Sequence, residues 1–105
     1  MLEISPHKVA HVIIQARDRR SNRRDLREFI DGLNEDEQAN LVAIAWIGRG
    51  VFDASDFQEA LSTAISERST PTADYLTGMP HLAENLESGL EALGYDVSDV
   101  EEDFL

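Results

Sequence analysis

A chain of 105 residues has room for one domain, and its net charge of −12 sets it against nucleic acid and anionic membrane surfaces. It contains no Cys, which removes disulfides, thiol nucleophiles and thiolate metal sites. No run approaches the ~20 apolar residues of a membrane span, and the opening MLEISPHKVAHVIIQAR is too interrupted for a signal peptide's apolar segment, so a cytoplasmic location is expected.

The apolar periodicity is helical from the start. Val9, Val12, Ile13 and Ala16 recur on one face, with Ser5 as N-cap, Pro6 in the first helical position, and Ile4 and Val9 at the two staple positions. A first helix is expected over residues 6–20. A second, over 23–31, carries Leu26, Phe29 and Ile30, with Gly32 placed to end it in a left-handed conformation. Asn34 and Glu37 have the spacing of a capping box, and Glu35, Asp36 and Glu37 put negative charge at the positive end of the next helix.

That third helix, about 35–49, contains LVAIAWIG (41–48) and is apolar on every side, as the middle helix of a bundle should be. Gly50 is placed for a left-handed stop, after which Val51 would fold back on Trp46. Asp53 is read as the cap of the fourth helix, Phe52 and Phe57 as its staple, and Phe57, Leu61, Ala64 and Ile65 as its buried stripe. Residues 66–70 form a polar connection, Pro71 restarts a short helix through Leu76, and Gly78 ends it. Pro80 is expected to open the last helix, with Leu82, Leu86, Leu90 and Leu93 inward and Gly94 as its stop, Tyr95 packing on Leu90. The fold class is therefore all-α: a compact bundle of five to six short helices around the central helix 35–49. Residues 1–95 form one domain, and 96–105 form an acidic tail expected to fray.

The charge is unevenly spread. Residues 1–27 hold seven basic groups (Lys8, Arg17, Arg19, Arg20, Arg23, Arg24, Arg27) against three acids, for a net of +4, whereas the rest has only Arg49 and Arg68 against eighteen acids. The arginines are expected to pair with the chain's own excess acid; any anion contact would fall on this cluster, whose stretch 17–24 also reads as a basic loop.

Little else carries chemistry. His7 and His11 share a helical face and His81 could join them, but HExxH is absent and Lys8 stands beside the pair, so no metal site is expected. GRGVFDASDF (48–57) superficially resembles half of a calcium loop; in that register the first, third and fifth ligands would be Ala45, Ile47 and Arg49, none a carboxylate. Asp74 and Tyr75 lack an orienting third group and an oxyanion site. There is no phosphate-binding glycine loop and no nucleophile elbow. No catalytic residue and no cofactor are assigned. Trp46 is read as a core anchor whose indole N–H meets a carbonyl or carboxylate, with a place in a binding pocket as the alternative.

Two stretches, IDGLNEDEQANLVAIAWIGRGVFDASDFQEAL (30–61) and TADYLTGMPHLAENLESGLEALG (72–94), are similar in order and spacing to the small bacterial family called domain of unknown function 3775. AWIGRG…FD and TADYLTG.P.L are its specific parts. The resemblance implies a helical domain and supplies no activity and no ligand residue. Members of that family often carry a longer acidic stretch before IDGLNEDEQ, where this chain has a short arginine-rich connection. A function shared by the family therefore does not rest on that basic patch.

The leading functional expectation is a small acidic protein-interaction module, docking on another protein or on itself. Its candidate residues are Trp46, Arg49, Arg19, Arg20, Arg23 and Arg24. The alternative is a nucleic-acid-linked role, either phosphate contact through residues 17–27 or mimicry of DNA by the acidic surface. Direct sequence reading of DNA is disfavoured because DASDFQEALSTAISE (53–67) carries no Lys or Arg. A metal-dependent enzyme is the least favoured class, and no membrane partner is expected.

Overall fold

The computed structural model describes residues 2–18 and 23–96. These form six α-helices, with no strand among the described residues: α1 (Pro6–Arg17), α2 (Arg23–Asp31), α3 (Glu35–Arg49), α4 (Phe57–Ser66), α5 (Thr72–Thr77) and α6 (Leu82–Ala92). The Cα radius of gyration is 12.4 Å, as expected of a compact chain of this length.

α3 is the central helix. It packs most extensively on α6 and next on α4, while α1 lies on α6 and α2 on α5. The α3–α6 contact is backbone against backbone. A Cβ on Gly89 would stand 2.1 Å from the Ile44 carbonyl oxygen, and one on Gly48 would stand 1.7 Å from that of Asn85. Two glycines, one on each helix, therefore set the closeness of the pair. Around it Leu41, Ile44, Leu86 and Leu90 are fully enclosed, joined by Val9, Val12 and Ile13 from α1 and Ile30 from α2.

The start of α3 is held by three linked interactions. Asn34 Oδ1 accepts from the Glu37 N–H at 2.7 Å, and Glu37 Oε1 accepts from the Asn34 N–H at 3.0 Å, the expected capping box. Lys8 of α1 donates to Glu37 Oε2 at 2.5 Å. That bond, followed by the Asn34 amide, holds the Glu37 carboxyl below the ordinary glutamate range. Asn40, fully buried one turn later, accepts from the Glu3 N–H at 3.0 Å and donates to the Asp36 carbonyl at 2.8 Å. A buried amide so satisfied ties the N-terminal segment to α3.

Several local expectations are corrected. α1 stops at Arg17, not at residue 20, because Asp18 turns extended (ψ 110°); residues 19–22, half of the expected basic loop, lie outside the described residues. Gly32 is not left-handed: its N–H bonds back to the Glu28 and Phe29 carbonyls in a tight turn, and among the described residues the positive-φ glycines are Gly50, as expected, and Gly94. At the end of α3 the Val51 N–H reaches the Trp46 carbonyl at 3.0 Å, as expected, yet Val51 is exposed and Phe52 is the residue whose ring meets Trp46, at 5.9 Å.

The Asp53 side chain makes no cap. Its carbonyl accepts from Asp56 at 2.8 Å and forms a short 3₁₀ turn (Ala54–Asp56) ahead of α4. α6 begins at Leu82, two residues after Pro80, because His81 takes a left-handed conformation (φ 58°). The Tyr95 N–H bonds the Leu90 carbonyl at 3.0 Å, and the half-buried Tyr95 side chain packs against the core. Of the expected acidic tail only Asp96 is described; 97–105 lie outside the described residues.

The α4 stripe is also rotated. Phe57, Ala60 and Ala64 are buried, Leu61 is half-buried, and Ile65 is 58% exposed. At about 100° per residue, Ala60 and Ala64 fall to one side of Phe57, Leu61 about 40° to the other, and Ile65 about 80° away. Small residues thus face α3, and the largest branched one is left at the edge.

Candidate functional site

The residues displaced from the expected core surround a cleft of about 240 Å³ between α3, α4 and α5. On α3 the positions 35, 39, 42 and 46 form one stripe, since residues three and four apart share a helical face. Glu35 is exposed at the mouth, Ala39 and Val42 are buried in the floor, and the half-buried Trp46 also lines the cleft. Ala64 completes the floor from α4, while Ile65 and Tyr75 form walls. Ala39 and Ala64 are small and buried, and they leave room between the two helices. Of the three large apolar side chains that the described residues leave exposed, Ile65 and Tyr75 line this cleft; Val51 does not.

Trp46 is half-buried, not enclosed as a core anchor should be. Its indole N–H donates to the Tyr75 hydroxyl at 2.8 Å, where a carbonyl or carboxylate was expected. The reason lies in the short α5: Arg27 of α2 holds Asp74 at 3.2 Å, and Leu76 is fully buried beneath it. Tyr75, between these two anchors, is turned toward α3.

The rim is charged. Glu35 and Asp36 stand on the first turn of α3, made rigid by the capping box and by the Asn40 bond to the Asp36 carbonyl. Glu67 and Arg68 follow α4. Arg68 lies 3.5 Å from Glu35 across the mouth, both side chains well exposed, a pairing of small energy.

The structure does not bring the sequence-predicted interaction residues together. Trp46 lines the cleft; Arg49, Arg23 and Arg24 do not. Arg49 and Arg23 are exposed, Arg24 is also exposed and pairs with Glu28 at 3.2 Å, and Arg19 and Arg20 lie outside the described residues. Arg17 is bound by Glu87 of α6. His7 is exposed, His11 stacks on Phe29 with ring centroids 4.2 Å apart, and His81 lies 3.9 Å from Glu84. Among the described residues no three His, Asp or Glu side chains converge as a metal site would need. A broader, more polar depression of about 740 Å³ lies between the end of α1 and the start of α6, lined by Gln15, Arg23 and His81 among others.

Sequence reasoning named Trp46 and missed its companions. Ala39 and Ala64 read as ordinary helix formers, and the pairing with Tyr75 spans 29 positions. Ile65 was placed in the core by a spacing that fits equally well at its edge.

No curated protein and no solved structure matches this chain. One family model does, described as a protein of unknown function (DUF3775), over residues 23–95. That span contains every residue of the cleft and extends slightly beyond the 30–94 on which the resemblance was read. With most of its length inside that match, the chain belongs to the DUF3775 family.

Proposed function

We propose that this domain is a non-catalytic interaction module that docks a segment of another protein in the cleft between α3, α4 and α5. The observation that carries the reading is the placement of Ile65 and Tyr75. The protein exposes both beside a half-buried tryptophan, around a hollow floored by alanine and valine. Apolar surface left uncovered around a concavity is the usual mark of a binding site, and tryptophan and tyrosine are the side chains most enriched where binding energy concentrates. A volume of about 240 Å³ falls below the ~300–1,000 Å³ typical of small-molecule and cofactor pockets. It suits one or two amino-acid side chains.

The phosphate-contact form of the nucleic-acid reading is weaker. Arg17, Arg24, Arg27 and Arg68 each face an acid of the same chain, and phosphate contact would have to displace those acids.

The reading is tested by selecting peptides from a displayed random library on the intact protein and titrating the winners into isotope-labelled protein. Selected peptides should shift the Trp46 indole N–H and the Ala39 and Ala64 amides. Winners that shift only residues of α1, α2 or α6 would place the docking surface elsewhere and overturn it.

A further inference from the structure

Resting on the reading of the cleft as a docking surface, we infer that its occupant is a cationic segment of a partner protein, inserting one apolar side chain with Lys or Arg on either side of it. The apolar floor sets the anchor. Ala39, Val42 and Ala64 offer no hydrogen-bonding side chain, and the Ser and Thr residues of the lining, Ser69, Thr70 and Thr72, all come from the α4–α5 connection and the start of α5, so a leucine-sized or aromatic side chain is what the α3–α4 floor complements. The rim sets the flanks. Glu35, Asp36 and Glu67 stand around the mouth against one cation, Arg68, which already faces Glu35. The Glu35 side chain is 87% exposed even with Arg68 beside it, so a partner's cation reaches it without first displacing buried contacts. The far field has the same sign, since the chain carries −12 overall, and it draws a basic segment toward the surface before any contact forms.

The same charges argue against the other occupants. A second copy of the chain carries the same net charge of −12, so long-range repulsion opposes its approach. Nucleic acids and anionic bilayers are repelled alike. One polar feature fits a peptide in particular: the Tyr75 hydroxyl accepts from Trp46 and so keeps its own hydrogen for an acceptor at the cleft wall. A main-chain carbonyl beside the anchor side chain is such an acceptor.

Three synthetic peptides test the inference on the intact protein by isotope-resolved titration. The first is Lys-Arg-Ser-Leu-Ser-Arg-Lys, the second replaces its leucine with alanine, and the third keeps the leucine but replaces every cation with Glu or Asp. The first should shift the Trp46 indole N–H and the Ala39 and Ala64 amides saturably. Its affinity should fall about tenfold between roughly 50 and 300 mM salt, as contacts between exposed charges do. The alanine peptide should bind at least about fivefold more weakly, since a buried leucine side chain is worth that much or more. The Glu35→Gln, Glu67→Gln double variant should weaken the first peptide and leave the fold's own spectrum unchanged.

An acidic leucine peptide that shifts the same resonances as tightly as the cationic one would overturn the occupant and leave the docking reading standing. Peptides that leave every cleft resonance unmoved at millimolar concentration would overturn the docking reading itself. Shifts of the cleft resonances on raising protein concentration alone would assign the cleft to a second copy and overturn the inference.

Discussion

Replacing Trp46 with Phe separates the two roles its position combines. The ring is half-buried and stacks against Phe52 at 5.9 Å, and its N–H is spent on the Tyr75 hydroxyl at 2.8 Å. Phenylalanine keeps the stacking and loses the donor. The lost pyrrole edge, about 40 Å² of apolar contact at ~25 cal/mol/Å², costs about 1 kcal/mol. The lost hydrogen bond adds about 0.5–1 kcal/mol, the low part of the usual range, because Tyr75 is 38% exposed and water can replace its partner. The expected loss is therefore about 1.5–2 kcal/mol. Trp46→Ala should cost about 3 kcal/mol, at the bottom of the range for a core aromatic because one side of the ring already meets solvent.

Both losses are measured by urea unfolding followed by circular dichroism, since Trp46 is the only tryptophan and its fluorescence disappears with it. A cycle with Tyr75→Phe isolates the hydrogen bond, with an expected coupling of about 0.5–1 kcal/mol. Zero coupling, or a Trp46→Phe variant as stable as the parent, would refute the contact on which the cleft wall depends.

Gly89→Ala should unfold the domain or abolish its soluble expression, since the added Cβ would stand 2.1 Å from the Ile44 carbonyl and the two helices would have to part; a cooperative melt near that of the parent would contradict the packing. Asn40→Ala should cost about 1–3 kcal/mol by leaving the Glu3 N–H without its acceptor, with hydrogen exchange at Glu3 accelerated. The Glu37 carboxyl, held low by Lys8 and Asn34, contributes stability that is complete above the ordinary glutamate pKa and lost as pH falls through its depressed value. Lys8→Met should therefore lower stability at neutral pH and flatten the acid-side decline, and parallel pH–stability curves for parent and variant would deny the linkage.

How far the sequence could be read depended on the range of each signal. Local chemistry was legible. The Asn34–Glu37 capping box, the left-handed Gly50 and the bounds of α2 and α3 depend on residues within a few positions of one another, and they stand where the pattern put them. The cleft was not legible, because it is built from differences in size across helices. Ala39 and Ala64 make a hollow only once α3 and α4 are packed. The rotation of α4 that exposes Ile65 follows from the alanines at 60 and 64, which allow close approach on one side. Glu37 was recognised as a capping residue, yet its bond to Lys8 spans 29 positions and could not be foreseen. Pro80 misled because proline suits the first turn of a helix in general, whereas here the left-handed His81 intervenes.

The central claim, that the α3–α4–α5 cleft is a docking surface for an apolar side chain on a cationic segment, is tested most directly by where that side chain lies when bound. Intermolecular Overhauser contacts from the leucine methyls of a labelled Lys-Arg-Ser-Leu-Ser-Arg-Lys peptide report this atom by atom. The predicted result is a set of contacts to the Ala39, Val42 and Ala64 methyls and to the Trp46 indole. Contacts confined to α1, α2 or α6, with none to those four residues, would contradict it.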